Sequence, residues 1–221
     1  MTPVLRLVDE VCSNPVFFDF VGMNCHGMMT TTPVAPEVLE KFHHEWDDLG
    51  RTVARTVKHW SEDYGIHKQT INRALEPWLR IRTLVTATEM DNFYRLRLAT
   101  NAQPEMQHLA QAMLVSANRA KVGESKYHIP YRDHIEPNSE PELMIRSIAA
   151  CARVSVLRGD EKKTTYEEDA AFVRRLLASG HMSPFEHVAT YVADGEPFYN
   201  LVGWASMRYL LENPSVMADD D

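Results

Sequence analysis

The stretch TTYEEDAAFVRRLLASGHMSPFEHVATYV, Thr164–Val192, predicts a helix, a turn and a strand in immediate succession. Thr165 and Glu168 have the spacing of a capping box, and Gly180 is suited to end the helix that begins there. The alternating pattern of VATYV then predicts a strand. The apolar side chains expected to face inward from the helix are Phe172, Val173, Leu176 and Leu177.

The predicted turn, GHMSPFEH, places His181, Ser183, Glu186 and His187 within seven residues. This composition fits a metal site, an acid/base cluster, a cofactor pocket or a polar turn. Histidines six residues apart do not share a helix face, and Pro184 between them excludes an arrangement like that of HExxH. A zinc site would need a third ligand from elsewhere in the chain. Spacing alone therefore favours the polar turn, and we expect no metal.

Elsewhere the chain predicts further helices and connections within a single domain over 1–221. Pro36 is suited to begin a long helix and Gly65 to end it. Its apolar stripe indicates core packing or an oligomer seam, and comprises Leu39, Phe42, Trp46, Leu49, Val53, Val57 and Trp60. We expect irregular structure over 1–35, a surface connection over 119–141 and a disordered tail over 214–221. Between these segments we expect a short helix over Pro141–Ala150, a strand or extended turn in CARVSVL and a helix in VGWASMRYLLE.

Composition excludes several classes of protein. The net charge of −8 argues against a nucleic-acid polymer as partner, although a nucleotide needs only a few local arginines. No apolar run is long enough to span a membrane, and the first residues lack the apolar segment of a signal peptide. Three widely spaced cysteines fit reduced thiols better than a disulfide framework. We therefore expect a cytoplasmic protein.

The stretch RLRLATNAQPEM contains a candidate anion site. Arg95 and Arg97 alternate, so they would project the same way from an extended segment. A helix is predicted directly after them, with Thr100 and Gln103 in capping-box spacing. Guanidinium groups beside a helix N-terminus suit a phosphate. Two surface arginines paired with carboxylates remain the alternative.

Three of these segments together resemble the flavin-dependent thymidylate synthases. CARVS, Cys151–Ser155, resembles the ARVS segment of that family, and GHMSPFEH resembles its GHxSPFEH segment. NFYRLRLATNAQPEM, Asn92–Met106, resembles its NFxxLRxxxxAQxEI segment. The order of the blocks is similar to that of an elongated branch of the family common in phages and actinobacteria.

The resemblance implies a helix-rich α+β fold with a small antiparallel sheet that carries the SPFEH segment. It also implies that the GHMSPFEH cluster is part of an FAD pocket at the subunit interfaces of a homotetramer. The residues implied to contact FAD are Arg95, Arg97, Asn101, Ser155, His181, Ser183 and Glu186. Gln103 and Glu105 of the same block, and Arg208 of GWASMR, are weaker candidates for nucleotide contacts.

The activity implied by the resemblance is reductive methylation of dUMP to dTMP, with methylenetetrahydrofolate and NADPH as co-substrates. The family uses no protein nucleophile, so no catalytic residue is assigned. The family signature RHRxxSxNExSxR is missing, and Gln107 stands where the family has an arginine. Two alternatives therefore stay open. One is a flavin- and folate-dependent hydroxymethylase acting on dUMP or dCMP, and the other is a non-catalytic subunit or one completed by a partner chain.

Overall fold

A computed structural model describes residues 3–26, 30–120, 123–135, 139–155 and 164–217. The chain, for which the sequence predicts one domain, divides into two compact units. The first comprises residues 1–81 and 92–119, and the second comprises residues 82–91 and 120–221.

The first unit is helical. Its elements are α1 (Pro3–Ser13), α2 (Pro36–Glu62), α3 (Lys68–Ile71), a 3-10 helix (Asn72–Trp78), α4 (Asp91–Arg97, of which Asp91 belongs to the second unit) and α5 (Pro104–Arg119). α1 and the 3-10 helix pack on α2. The predicted long helix is thus confirmed, and Gly65 beyond its end adopts a φ of 62°. Side chains from all three elements form the core: Val4, Val8, Val11, Ala54, Val57, Leu75 and Trp78.

The prediction of irregular structure over 1–35 is wrong for Pro3–Ser13. Val4, Val8 and Val11 recur at helical spacing, and all three are buried against α2. Three residues are too short a pattern to predict a helix by themselves. Burial of these valines against α2 therefore decides the structure of this segment.

Two expectations for residues 95–104 are also wrong. Arg95 and Arg97 lie on the helix α4 and not on an extended segment, so residues two apart point to different sides. The helix α5 begins at Pro104, which suits a first helical position, and therefore Thr100 and Gln103 do not form a capping box at its start.

The second unit combines helices with a small antiparallel sheet, as an α+β fold requires. Its helices are α6 (Glu140–Ala152), α7 (Tyr166–Ala178) and α8 (Met207–Glu212), with 3-10 helices at Arg132–His134, Ser183–Glu186 and Pro214–Met217. β1 (Tyr127–His128), β2 (Ala189–Tyr191) and β5 (Trp204–Ser206) form the sheet in the order β1-β2-β5. β3 (Pro197–Phe198) and β4 (Leu201–Val202) form a separate hairpin.

The helix–turn–strand unit of the second unit forms as predicted. Thr165 and Glu168 make the reciprocal capping box, and Gly180 adopts a φ of 69° just past α7. Leu177 is the exception, since it is exposed instead of facing inward. The core contains Ile148, Ala149, Val173, Phe185 and Val188.

Several predicted boundaries in the second unit are wrong. The helix predicted over Pro141–Ala150 continues through Cys151 and Ala152, where we expected a strand or extended turn to begin. It ends in a turn at 153–155, and residues 156 and 157 lie outside the described residues. VGWASMRYLLE is a strand followed by a helix, because Trp204–Ser206 pair with β2 before Met207 begins α8. The predicted connection over 119–141 contains β1. The predicted disordered tail is a 3-10 helix over Pro214–Met217, and 218–221 lie outside the described residues.

Among the described helices, none is both long and apolar enough to cross a membrane.

Candidate functional site

The register between β2 and β5 brings Glu186 and Arg208 together. Ala189 lies opposite Ser206 in this ladder, and the Met207 N–H donates to the Val188 carbonyl at 2.8 Å. Glu186 precedes β2, and Arg208 follows β5 in the first turn of α8. The Nη1 of Arg208 therefore donates to Oε1 of Glu186.

The buried ring of Phe185 fixes the turn that carries Glu186. Phe185 is 2% exposed and packs in the core of the second unit. Pro184 occupies the start of the 3-10 helix Ser183–Glu186, where its fixed φ is favourable. Ser183–Glu186 is thus one helical turn anchored by Phe185, with polar side chains on either side of the anchor. The SPFEH segment therefore precedes β2, and the sheet does not carry it as expected.

Glu186 and Arg208 line a cavity of about 430 Å³ in the second unit. This volume is within the usual range for small-ligand pockets. Polar and aromatic groups dominate the lining, which includes Thr86, His187, Tyr199, Asn200, Ser206 and Glu212.

A chain of hydrogen bonds runs along one wall of this cavity. Nε of Arg208 donates to Oε1 of Glu212 at 3.0 Å, and the Tyr199 hydroxyl donates to Oε2 of the same carboxylate at 2.7 Å. The Tyr199 hydroxyl, and after it the guanidinium, lower the pKa of Glu212. The bond to Glu212 raises the pKa of Tyr199, and the two carboxylates raise the pKa of Arg208. All three groups therefore keep their usual charge states at neutral pH.

His187 closes another side of the cavity. Its Nδ1 lies 3.1 Å from the hydroxyl of Thr86. Partial burial lowers the pKa of His187, although the nearby Glu186 opposes this. A neutral imidazole can both donate and accept hydrogen bonds at neutral pH. His187 was not among the predicted contacts, although the motif contains it.

The remaining motif residues of the second unit lie at exposed positions outside the residues that line this cavity. His181 follows α7, and its Nδ1 lies 2.6 Å from the Ser179 hydroxyl. That hydroxyl also donates to the Arg175 carbonyl at 2.8 Å. Ser183 begins the 3-10 helix, and Ser155 lies in the turn after α6.

The other predicted contacts belong to the first unit. Nη2 of Arg95 donates to the Asn92 amide oxygen at 2.7 Å, whereas Arg97 is exposed and has no partner within the described part of the chain. Asn101 lies in an exposed turn, and the Gln103 carbonyl accepts from the Gln107 N–H. Oε1 of Glu105 accepts from the Asp19 backbone N–H at 3.2 Å. The first-unit candidates are thus two cations and three polar groups near the start of α5.

The described residues support neither a metal centre nor a reactive thiol at Cys151. No group of three His, Cys, Asp or Glu side chains among them is arranged to hold a metal ion. Burial raises the pKa of the Cys151 thiol to about 11, so this sulfur is protonated at neutral pH and is a poor nucleophile.

The lining residues that the sequence did not predict include Glu212, Thr86 and Tyr199. Glu212 could have been found, because it follows Arg208 by four residues on a helix and that spacing favours an ion pair. Thr86 and Tyr199 could not have been found in this way, because Thr86 lies on a loop and Tyr199 on the turn of the β3–β4 hairpin. Tyr199 has a φ of 55°, a backbone conformation that a tyrosine rarely adopts.

Comparison of the chain with protein-family models, curated proteins and solved structures found no match.

Proposed function

We propose that the chain binds a flavin and a pyrimidine nucleotide and acts as a flavin-dependent thymidylate synthase, converting dUMP to dTMP. The motif resemblance supplies the reaction. The observation that carries the proposal is the Glu186–Arg208 pair on the wall of a ligand-sized cavity, with His187 beside it.

This donor and acceptor set fits the edge of a uracil or flavin ring. Both rings present an imide, in which one N–H is flanked by two carbonyl oxygens. The carboxylate of Glu186 can accept from such an N–H, and the guanidinium of Arg208 can donate to a neighbouring carbonyl. His187, neutral at pH 7, adds a donor without adding charge.

The same cavity is a poor place for a phosphate. Glu186 and Glu212 both flank Arg208, so a phosphate would meet two carboxylates and one guanidinium. Arg95 and Arg97 of the first unit are better suited, because both are exposed cations and Arg97 has no partner among the described residues. Arg95 and Arg97 therefore stay candidates for separate anion contacts within the first unit.

When bound, FAD supplies the hydride-transfer chemistry, while the protein orients and polarises the reactants. Glu186 and Arg208 would hold the imide edge of the flavin ring in a fixed direction. Donation from Arg208 to a ring carbonyl withdraws electron density from the ring. The hydrogen bond between His187 and Thr86 holds the imidazole in place beside the bound ring. No step in this scheme needs a protein nucleophile.

A turnover assay tests the reaction. Purified protein would be incubated with dUMP, methylenetetrahydrofolate and FAD, with and without NADPH, and the product would be identified by its mass. Formation of dTMP that depends on NADPH supports the proposal. A hydroxymethylated product formed without NADPH would show the hydroxymethylase instead.

Substitutions of the two paired residues test whether turnover depends on this cavity. We expect Glu186→Gln and Arg208→Lys each to lower kcat/KM by about 10- to 100-fold, since each leaves a polar partner unmatched. Glu40→Gln, an exposed change on α2, is the matched control and should leave activity unchanged. Retained flavin without turnover would indicate a non-catalytic or partner-completed subunit.

A further inference from the structure

We propose that a second cavity of the second unit, beside Trp204, is a binding site for a small organic cation. The cavity has a volume of about 430 Å³. It is lined by residues 86–89, by residues of β1, β2, β4 and β5, and by the turns that flank the β3–β4 hairpin. It shares Thr86 and Leu201 with the cavity of Arg208, but neither Glu186 nor Arg208 lines it.

The lining of this cavity is acidic. Glu89 and Asp194 both contribute to it, and none of the described lining residues is a lysine or an arginine. His128 also lines it, and loss of hydration, with a smaller effect of His187, lowers the pKa of that imidazole. His128 is therefore neutral at pH 7. The cavity thus carries carboxylates without a cationic side chain to balance them, so it favours a positively charged ligand.

Two aromatic rings in the lining also favour an organic cation over other ligands. Tyr191 and Trp204 line the cavity, and their ring centroids are 5.6 Å apart in an edge-to-face arrangement. The nearby Asp194 carboxylate raises the pKa of Tyr191 and so keeps its hydroxyl protonated. Indole and phenol rings attract alkylammonium and guanidinium groups through their π faces. Carboxylates combined with aromatic rings are the usual surroundings of such ligands.

A metal ion is the less suitable occupant. The cavity contains Glu89, Asp194 and His128, but no three such side chains in the described part of the chain are close enough to share one ion. Divalent cations require several oxygen or nitrogen ligands within about 2.0–2.6 Å. A larger cation that contacts the carboxylates and the rings at separate points fits this spacing better.

Choline and its neutral isostere 3,3-dimethyl-1-butanol form a matched pair of probes. Binding to the full chain would be followed by calorimetry and by the fluorescence of Trp204. The other tryptophans, Trp46, Trp60 and Trp78, belong to the first unit. The part of the fluorescence change that is lost in Trp204→Phe is therefore the part that reports on this cavity. We expect choline to bind at least about 10-fold more tightly than the neutral alcohol, since only choline gains the cation–π and carboxylate interactions.

Charge variants test whether choline binds through the carboxylates of the cavity or through the overall negative charge of the protein. Asp194→Asn and Glu89→Gln should each weaken choline binding by about 3- to 10-fold and leave the alcohol unaffected. Glu40→Gln removes the same charge at an exposed position of α2 and should change nothing. Circular dichroism would establish that each variant is folded.

Any of four results would overturn the proposal: equal affinity for the two probes, no choline binding, unchanged affinity in both cavity variants, or complete loss of choline binding in the presence of FAD. The last result would place the cavity within the flavin site. Since the readout is direct binding of choline, this test can fail or succeed whether or not the chain methylates dUMP.

Discussion

Asp169 is the buried charge that holds α6 to α7. It is 3% exposed and accepts from Nη1 of Arg153 at 2.6 Å, from the Thr164 hydroxyl at 2.9 Å and from Nε of Arg146 at 3.4 Å. The Arg153 guanidinium also lies 4.5 Å from the ring centroid of Phe172. This network fixes the end of α6, two residues before Ser155.

Replacing Asp169 should therefore destabilise the second unit strongly. We expect Asp169→Asn to lower the free energy of unfolding by about 3 kcal/mol, because the arginines would lose their buried counter-charge. Asp48→Asn is the matched control, since the exposed Asp48–His44 pair contributes at most about 1 kcal/mol. Urea denaturation measures both, and equal effects of the two substitutions would contradict this account of Asp169.

Tyr199 sets the titration of Glu212 within the cavity of Arg208. The folded pKa of Glu212 lies below its ordinary value of 4.5, with the tyrosine hydroxyl as the leading cause. Its contribution to stability is therefore complete above pH 4.5 and is lost as the pH falls through the lower folded pKa. In Tyr199→Phe, we expect the pKa of Glu212 to rise toward 4.5, as measured by carboxyl-carbon NMR titration. A pKa that does not move would show that Arg208 alone is responsible.

At the scale of elements, Gly50 allows α2 to approach Trp78. The Trp78 indole N–H donates to the Trp46 carbonyl at 3.1 Å. A Cβ added to Gly50 would lie 2.8 Å from Nε1 of Trp78. The Trp46 and Trp78 rings stack with centroids 4.7 Å apart, so the indole has little room to shift. Glycine in the middle of this helix is thus explained by packing.

We expect Gly50→Ala to destabilise the first unit by about 1–2 kcal/mol. The overpacking cost of about 1–3 kcal/mol exceeds the gain of up to about 1 kcal/mol in helix propensity. Gly123→Ala, where a Cβ meets nothing within 4 Å, is the matched control and should be nearly neutral. A Gly50→Ala protein more stable than wild type in urea denaturation would refute the close approach.

Elements with strong local signals were predictable, and those decided by tertiary contacts were not. The capping box at Thr165 and the long apolar stripe of α2 each fix a helix locally, and both predictions are confirmed. The helix α1 and the strand β5 were missed, because α1 depends on burial against α2 and β5 on pairing with β2. A short apolar run such as Trp204–Ser206 fits a helix or a strand equally well until its partner is known.

At the scale of the whole molecule, the sequence predicted the class of fold and part of the candidate site. The helix-rich α+β fold with a small antiparallel sheet is confirmed. Of the predicted contacts, Glu186 and Arg208 line one cavity. Their proximity depends on the β2–β5 register, which local patterns do not encode. Flavin binding, the reaction and the homotetramer stay predictions.

The most direct test of the central claim is an absorbance spectrum of the size-fractionated protein after FAD is added and the excess removed. The account predicts that a flavin band elutes with the folded chain and is reduced in Glu186→Gln and Arg208→Lys, but not in Glu40→Gln. A chain that is folded by circular dichroism and retains no flavin would contradict it. So would a flavin band that all three substitutions leave unchanged.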